Sequence, residues 1–426
     1  MNRKILAAGS IAALAALTLA GCSGSSDSGE NADPDAPVTL TLSGWSIDTT
    51  PEFQTLADAF HEENSNITIE LKEYDPAEYN TLVTADLAAG SGPDIITQKE
   101  VKYITTFQEG GQLLDVYDVA LPDGIGGADS YVIDGAAYAV PYRQDSWVLF
   151  YDKDLFDAAG VEYPDGSWTW DDYAEAAEAL TTDASKGTYL HRWQSTVQGF
   201  ANAQTGTSVL DGDFGHLKEY YENTLALQDA GYQVDFNTST ANQLTYQGEF
   251  GTQKAAMLLM GTWYTATLIA QQASGEANDF EWGIAPAPQL DSSTAGTDNT
   301  PVTFGDPTGF AINANIDPAK VDAAKKFLEF AASEAGAQKL AAIGITPALT
   351  NDAVVETYFA VEGAPTDELS KFSWSTHEVL PENPTSSKTA TIQGILGDLH
   401  TAVMSGSASI DDAIKTAEDR VTNEVG

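Results

Sequence analysis

The sequence predicts an α/β fold of two lobes. Residues 38–42 alternate apolar and polar side chains, Thr50-Pro51 opens a helix, and Ile67, Ile69 and Leu71 form a second alternating strand. This strand, helix, strand order indicates a parallel pair with a right-handed crossover. The chain beyond residue 37 has about 390 residues, more than one hydrophobic core usually serves, so we expect two lobes.

The first 22 residues predict a lipoprotein signal peptide and not a part of the fold. Arg3 and Lys4 precede an apolar segment at 5–20 that is too short for a comfortable transmembrane helix. The segment ends in Leu-Ala-Gly-Cys, which resembles a bacterial lipobox. In lipoproteins with this signature the cysteine carries diacylglycerol, so we expect Cys22 to be the lipid anchor. An ordinary secretory signal is the alternative.

The segment after the signal peptide predicts a tether. Residues 23–37 are rich in Ser, Gly, Asp and Pro and cannot bury enough apolar surface to order, so we expect a disordered linker that holds the folded part away from a membrane. Cys22 is the only cysteine. A mature protein that begins there has no internal disulfide and no cysteine-based metal site.

The charge balance excludes some partners. The chain has 63 Asp and Glu against 19 Lys and Arg, a formal net charge of −44. Such a surface repels nucleic acid and anionic lipid, so we expect no nucleic-acid partner. We interpret the acids as a solubilising surface, because they are scattered through loops and helix starts. A preference for cationic solutes is the alternative.

Candidate binding residues follow the strands of the first lobe. Residues 94–97 form a third short strand, and ligands bind at the carboxyl ends of strands in open α/β sheets. Trp45 follows the first strand, and Gln98, Lys99 and Glu100 follow the third. Together they offer the hydrogen-bond donors and acceptors that a polyhydroxylated ligand requires. They are ordinary loop residues in the alternative interpretation.

Trp263 holds the same position in the second lobe. Residues 255–260 are a short apolar run, typical of a strand covered on both faces, and Gly261 ends it. We expect Thr262 to cap the following helix, which places Trp263 in the first turn. Its flat apolar face and single N–H donor suit a pyranose ring. A core position is the alternative.

Three further segments contribute candidates. Residues 187–193 predict a loop over the cleft that carries Trp193, and residues 373–377 predict a polar aromatic loop that carries Trp374. For residues 187–193, a surface loop packed on its own lobe is the alternative. The glycine-rich run at 304–309 allows backbone to approach a ligand closely and carries Asp306 and Gly309. Tyr142 and Arg143, at the end of an extended segment, complete the set.

Four blocks of sequence resemble one family. The segment VPYRQDSWVLFYDKDLFDAAGVEYPDGSWTWDDYAEAAEALT, with SGPDII (91–96), GTQKAAMLLMGTW (251–263) and GDPTGFAINAN (305–315), is similar to family 1 extracellular solute-binding proteins of carbohydrate ABC transporters. The blocks occur in the same order and cover nearly the whole mature chain. Asp152 departs from the Asn that is commoner at its position, which leaves the fold assignment unaffected.

The resemblance implies a type II periplasmic-binding-protein fold, in which three chain crossings form a hinge and ligand binds in the cleft. By analogy the crossings lie near 139–143, 300–306 and 331–336. The N-terminal lobe would be 38–141 plus 305–333, and the C-terminal lobe 142–304 plus 334–426. The protein would be a monomeric receptor at the cell surface that docks on the transmembrane subunits of an ABC permease.

The sequence is also compared with what an enzyme or an adhesin would require. So many acids guarantee that some pair mimics the two carboxylates of a glycoside hydrolase, and no pair has a distinctive setting. The five histidines are dispersed, and no phosphate loop, dinucleotide fingerprint or nucleophile elbow occurs, so we expect no enzyme, metal or cofactor. An adhesin would show repeats. Several tryptophans favour an oligosaccharide over a monosaccharide; a polyamine is the alternative ligand, and Lys99, Arg143 and Arg192 leave an acidic sugar open.

Overall fold

The computed structural model describes residues 36–47 and 50–426. The predicted signal peptide, its anchor Cys22 and nearly all of the tether lie outside the described residues. The strands are β1 (Val38–Gly44), β2 (Ile67–Glu73), β3 (Ile95–Gln98), β4 (Val132–Ile133), β5 (Ala136–Ala137), β6 (Val140–Gln144), β7 (Trp147–Asp152), β8 (Lys186–Tyr189), β9 (Ala255–Gly261), β10 (Trp282–Pro286), β11 (Val302–Phe304), β12 (Pro307–Ile312) and β13 (Glu378–Leu380).

The helices are α1 (Glu52–Glu63), α2 (Tyr79–Ala88), α3 (Ile104–Glu109), α4 (Lys153–Ala159), α5 (Trp170–Leu180), α6 (Ser195–Thr205), α7 (Leu217–Asp229), α8 (Phe236–Ala241), α9 (Tyr246–Phe250), α10 (Tyr264–Ser274), α11 (Val321–Ala332), α12 (Glu334–Ala341), α13 (Asp352–Phe359), α14 (Glu368–Ser375), α15 (Thr389–Met404) and α16 (Ile410–Glu424). Short 3-10 helices lie at Val101–Tyr103, Ala128–Tyr131, Val209–Asp211 and Pro318–Lys320. Among the helices described, none combines the length and the hydropathy that a membrane crossing needs.

The first sheet has the strand order β2-β1-β3-β12-β6. The predicted parallel pair is confirmed, because β1 pairs with β2 in parallel, with Leu40 opposite Ile69. Helix α1 covers this pair and buries Phe53, Leu56 and Phe60, the face that the sequence spacing predicts. Strand β12 runs antiparallel between β3 and β6.

The second sheet has the order β10-β7-β9-β8, and it has its own hydrophobic core. Every residue of β9 is buried, as the unbroken apolar run predicts. Strand β9 lies between β7, which is antiparallel, and β8, which is parallel. Strands β11 and β13 form a separate parallel pair, and β4 and β5 an antiparallel one.

The chain passes between the two sheets more than once within the compact unit of residues 37–426. It leaves β6 at Gln144 and enters β7 at Trp147, and it returns from β11 to β12 through residues 305–306. Later, Leu340 of α12 packs in the core of the first sheet, whereas Val354 of α13 packs in the core of the second. Three segments therefore connect the sheets, and Tyr142 and Arg143 belong to the first sheet.

Three local predictions are wrong. Residues 373–377 are mostly helical, because Asp367 caps α14 by accepting from the Ser370 N–H at 2.8 Å. Residues 187–189 belong to β8, since they pair with β9 far along the chain. Thr262 does not cap α10; its hydroxyl donates to Asp145 instead, and Trp263 occupies the cap position.

Candidate ligand-binding cleft

A cleft of about 1690 Å³ lies where the segments that leave both sheets meet. The carboxyl ends of β1 and β3 contribute the walls formed by Trp45 and Lys99, and residues that follow β8 and β9 contribute Trp193 and Trp263. The connection between β11 and β12 contributes Asp306. Elements that the sequence separates by hundreds of residues thus present their ends to one space, as expected for open α/β sheets.

Most of the predicted binding residues line this cleft, and some do not. The lining members are Trp45, Lys99, Glu100, Arg143, Trp193, Trp263 and Asp306. The other predicted residues are buried beside it, and they are Gln98, Tyr142, Gly309 and Trp374.

The residues beside the cleft have packing roles on the first sheet. Tyr142 stacks on Phe310 with ring centroids 4.1 Å apart, inside the core. Gly309 leaves room for Tyr131, since a Cβ at this position would be 2.7 Å from that ring. Gln98 pairs with Gly309 across the strands and is almost fully buried.

Trp374 lies on α14 with an exposure of 1%. Its ring packs on Tyr358 with centroids 4.3 Å apart, and its indole N–H donates to the Thr346 hydroxyl at 3.2 Å. The ring is therefore buried, and its donor is engaged by the protein.

An aromatic cluster forms one wall of the cleft. Trp147 lies at its centre, 5.4 Å from Trp263 and 6.5 Å from Trp193, and stacks on Phe304 at 5.0 Å. Trp193 is 41% exposed, and Tyr246 lies 5.9 Å from it. The sequence missed Trp147 and Tyr246, because an aromatic residue at the start of a strand or helix usually indicates core.

One face of the Trp45 ring is occupied by a lysine. The Lys99 ammonium lies 5.2 Å from the centre of the Trp45 ring, and the edges of Phe53 and Tyr79 pack against it at 5.1 and 5.2 Å. Lys99 also donates to the Pro76 carbonyl, and burial lowers the pKa of this lysine. A ligand would have to displace Lys99 before it could stack on that face of Trp45.

A buried ion network holds Arg143. Its guanidinium donates to Glu52 at 2.5 Å and to Asp145 at 2.7 Å, and Glu52 is fully buried. Burial raises the pKa of Glu52 although Arg143 opposes the change. Burial disfavours the charged form of Arg143, but Asp145 and Glu52 together raise its pKa. Arg143 is therefore a charged structural group whose partners are already present.

A carboxyl pair lies on the cleft wall near the aromatic cluster. Asp306 accepts from the Asn383 backbone N–H at 3.1 Å and from the Asn383 amide, and Glu382 accepts from the Ser195 hydroxyl. Burial raises the pKa of Asp306 to about 6, which the bonds from Asn383 partly offset. Burial and the nearby Asp306 raise the pKa of Glu382 to about 7. The sequence offered no signal for Glu382, because Ser195 lies 187 residues away.

The cleft can bind and orient a polar ring compound. It combines aromatic faces with carboxylates, amides and hydroxyls, the groups that hydroxyl-rich ligands use. Within residues 36–47 and 50–426, no group of three or more His, Cys, Asp or Glu is placed to hold a metal ion.

The fold is that of a type II periplasmic-binding protein, with two α/β sheets joined by chain crossings around a cleft. Residues 46–338 match the family described as bacterial extracellular solute-binding protein, and the chain belongs to that family. The resemblance to the solute-binding proteins of carbohydrate ABC transporters is confirmed. The members of this family and the similar structures are binding proteins and not enzymes.

Individual relatives agree with this assignment. A sugar transporter of Rhizobium etli, solved in an open conformation, is 31% identical, with 90% of this chain and 99% of that chain covered at a TM-score of 0.80. An ABC substrate-binding protein of Listeria monocytogenes in complex with cycloalternan is 22% identical, with 92% and 99% covered and a TM-score of 0.73. A binding protein of Brucella abortus is 26% identical over 314 residues, 67% of this chain and 69% of its own.

Proposed function

We propose that this protein is a membrane-anchored extracellular receptor that captures an oligosaccharide in the cleft and delivers it to an ABC importer. The observation that carries the proposal is the pairing of Trp193 and Trp263 on one wall with the carboxyl pair beside them. Aromatic faces suit the apolar faces of sugar rings, and the polar groups suit their hydroxyls.

The size of the cleft supports more than one sugar ring. Its volume of about 1690 Å³ exceeds the roughly 300–1,000 Å³ of pockets for drug-sized ligands. The fold alone does not select the ligand, because similar structures are described with cycloalternan, with D-mannitol and with α-D-tagatose. The volume of the cleft, and not the ligands of similar proteins, therefore supports an oligosaccharide.

The mechanism we propose is closure of two lobes about the crossings. We revise the lobes to 38–144 plus 307–341, and 147–304 plus 352–426, because the strand pairing divides at the first two crossings and Leu340 and Val354 pack in different cores, although Ala337 and Ala341 of α12 also contact the second core. Ligand that contacts both lobes favours the closed state by its differential affinity. The closed, monomeric form then docks on the permease, and Cys22 anchors the receptor to the membrane.

The test is a thermal-shift screen of the chain without its signal peptide against monosaccharides, oligosaccharides and polyamines. At a ligand concentration 100 times the dissociation constant, binding stabilises the native state by about 2.7 kcal/mol. We expect intact oligosaccharides to give the largest shift. A response to polyamines alone would make the protein a receptor for cationic solutes, and sugar fragments on chromatography would make it a glycoside hydrolase.

Anchoring has its own test, because it does not depend on the ligand. Cells that express the full chain should hold it in the membrane fraction, and Cys22→Ser should release it to the medium. Retention of Cys22→Ser in the membrane fraction would contradict the lipid anchor.

A further inference from the structure

The carboxyl pair Asp306 and Glu382 faces the cleft without a cation of its own. In the part of the chain that the structure describes, the side chains that donate to the two carboxyls are Asn383 and Ser195, and both are neutral. The charge of Lys102 acts on both carboxyls, but the Lys102 ammonium is already paired with Glu100 at 2.9 Å.

The other cations of the cleft wall are engaged elsewhere. Arg143 lies between Glu52 and Asp145, and Lys99 lies over Trp45. Arg192 donates to the Leu244 carbonyl at 3.2 Å. Asp306 and Glu382 therefore form a pair of carboxyls in the cleft wall to which no side-chain ammonium or guanidinium among the described residues donates.

Two carboxyls in this setting resist full ionisation. Burial raises the pKa of each, and Asp306 further raises the pKa of Glu382, so the pair retains a proton near neutral pH. The other charged or titratable groups that act on the pair are Glu100, Lys102 and Tyr131. A cation bound between the carboxyls would replace that proton and let both ionise.

The carboxyl pair also adjoins an aromatic face. Ser195, whose hydroxyl donates to Glu382, is two residues after Trp193 in the chain. Trp193 is the most exposed aromatic ring of the cleft wall. Glu382 is thus bonded to the segment that carries Trp193, and a ligand that combines an ammonium with a sugar ring has a partner for each in this part of the cleft.

We propose that Asp306 and Glu382 bind the protonated amino group of an amino sugar whose ring lies against Trp193. The proposal rests on the sugar-receptor function and narrows its substrate to sugars with a free amine. The ammonium donates to both carboxylates, and charge-assisted hydrogen bonds of this kind are about twice as strong as neutral ones.

The experiment compares matched ligands by titration calorimetry. Each probe is an oligosaccharide of glucosamine, galactosamine or mannosamine, and its control is the N-acetylated sugar of the same linkage and length. At about pH 7 we expect the free amine to bind at least about tenfold more tightly than its acetylated control. At about pH 6, where the sugar amine is already protonated before it binds, binding should also release the proton of the carboxyl pair, measured as a dependence of the heat on the buffer.

Two variants test whether the preference for the free amine depends on Asp306 and Glu382. Asp306→Asn and Glu382→Gln keep the shape of each side chain and remove its charge, so the preference for the amine and the proton release should both be lost. Affinity for the acetylated sugar should fall less than affinity for the amine, so that the ratio of the two affinities approaches one. Glu329→Gln, an exposed acid on α11 outside the cleft wall, is the matched control and should retain both properties.

The outcomes separate the two proposals. If acetylated sugars bind as tightly as the amines, the amino-sugar assignment is wrong and the sugar receptor stands. If no amino sugar binds, free or acetylated, the amino-sugar assignment is wrong, and the sugar receptor is then wrong only if the thermal-shift screen against neutral oligosaccharides also shows no binding. If the preference survives in both Asp306→Asn and Glu382→Gln, an amine is recognised by other residues, and the carboxyl pair is not its site.

Discussion

The Thr262 hydroxyl donates a hydrogen bond of 2.9 Å to the carboxylate of Asp145 and thereby connects the end of β9 to the segment between β6 and β7. Thr346 donates to Thr262 at 2.9 Å, and Trp374 donates to Thr346 at 3.2 Å. The donors point in one direction and end at a carboxylate that also accepts from Arg143. The first chain crossing is therefore held by a continuous, buried hydrogen-bond chain.

Trp374 should contribute to stability and not to ligand affinity. Trp374→Ala removes a buried ring and should lower the free energy of unfolding by about 3–5 kcal/mol. Trp374→Phe keeps most of the ring but leaves Thr346 without its donor, and should cost about 1 kcal/mol. Urea unfolding measures both values. A loss of sugar affinity with unchanged stability would instead place Trp374 against the ligand.

Trp263 should contribute to affinity. Its ring lines the cleft, 5.4 Å from Trp147, so Trp263→Ala should weaken sugar binding by more than about 1 kcal/mol while the fold is kept. Trp168→Ala is the matched control, because Trp168 packs on Phe156 outside the cleft wall. Titration calorimetry measures the sugar affinity of both variants. Equal affinities of wild type and Trp263→Ala would remove Trp263 from the binding site.

The sequence predicts individual strands and the pairing of consecutive strands well, because the pattern of buried residues and the order of elements along the chain are local properties. The apolar run at β9 and the parallel β1 and β2 are examples. The binding site is harder to predict from the sequence, because a pattern that predicts burial does not predict which neighbours a side chain contacts. Trp374 and Trp263 each have polar neighbours in the sequence. In the structure, however, Trp374 packs on Tyr358 and donates to Thr346, whereas Trp263 lines the cleft.

Glu52 and Arg143 should behave as one unit. Glu52 is fully buried and depends on the Arg143 guanidinium, so Arg143→Met should lower the free energy of unfolding by about 3–5 kcal/mol. Adding Glu52→Gln removes the stranded charge and should restore most of the loss. A double-mutant cycle by denaturant unfolding measures the coupling. Strictly additive effects would show that the pair has no energetic connection.

Glu382 should make stability depend on pH in a defined direction. Its pKa is about 7 in the folded protein and about 4.3 in an unfolded chain, so the folded state binds this proton more tightly. The contribution of this proton to the free energy of unfolding is fully present below about pH 4.3 and is lost as the pH rises through about 7. Relative to Glu382→Gln, wild type without ligand should become less stable as the pH rises from about 5 to about 8. His191 and His400 titrate in both proteins and cancel in this difference. A constant difference across this range would contradict the raised pKa.

Gly305 should matter because two crossings touch there. A Cβ on Gly305 would lie 2.1 Å from the Asp145 carbonyl oxygen, so Gly305→Ala must push the segment between β11 and β12 away from the segment between β6 and β7. We expect a loss of about 1–3 kcal/mol in the free energy of unfolding. Gly215→Ala is the matched control, since its Cβ would meet only the Asp213 side chain at 3.4 Å, and it should change stability by less than about 0.5 kcal/mol.

The same substitution separates a hinge from a static connection. If the lobes rotate about these crossings, Gly305→Ala should also change how far ligand closes the protein, because both lobes connect through the displaced segments. Small-angle scattering with and without bound sugar measures this as the change in radius of gyration. If Gly305→Ala is less stable than wild type but contracts as much on binding sugar, the contact between these two crossings supports the fold and does not govern closure. The hinge motion would then lie in the third connection, residues 342–351.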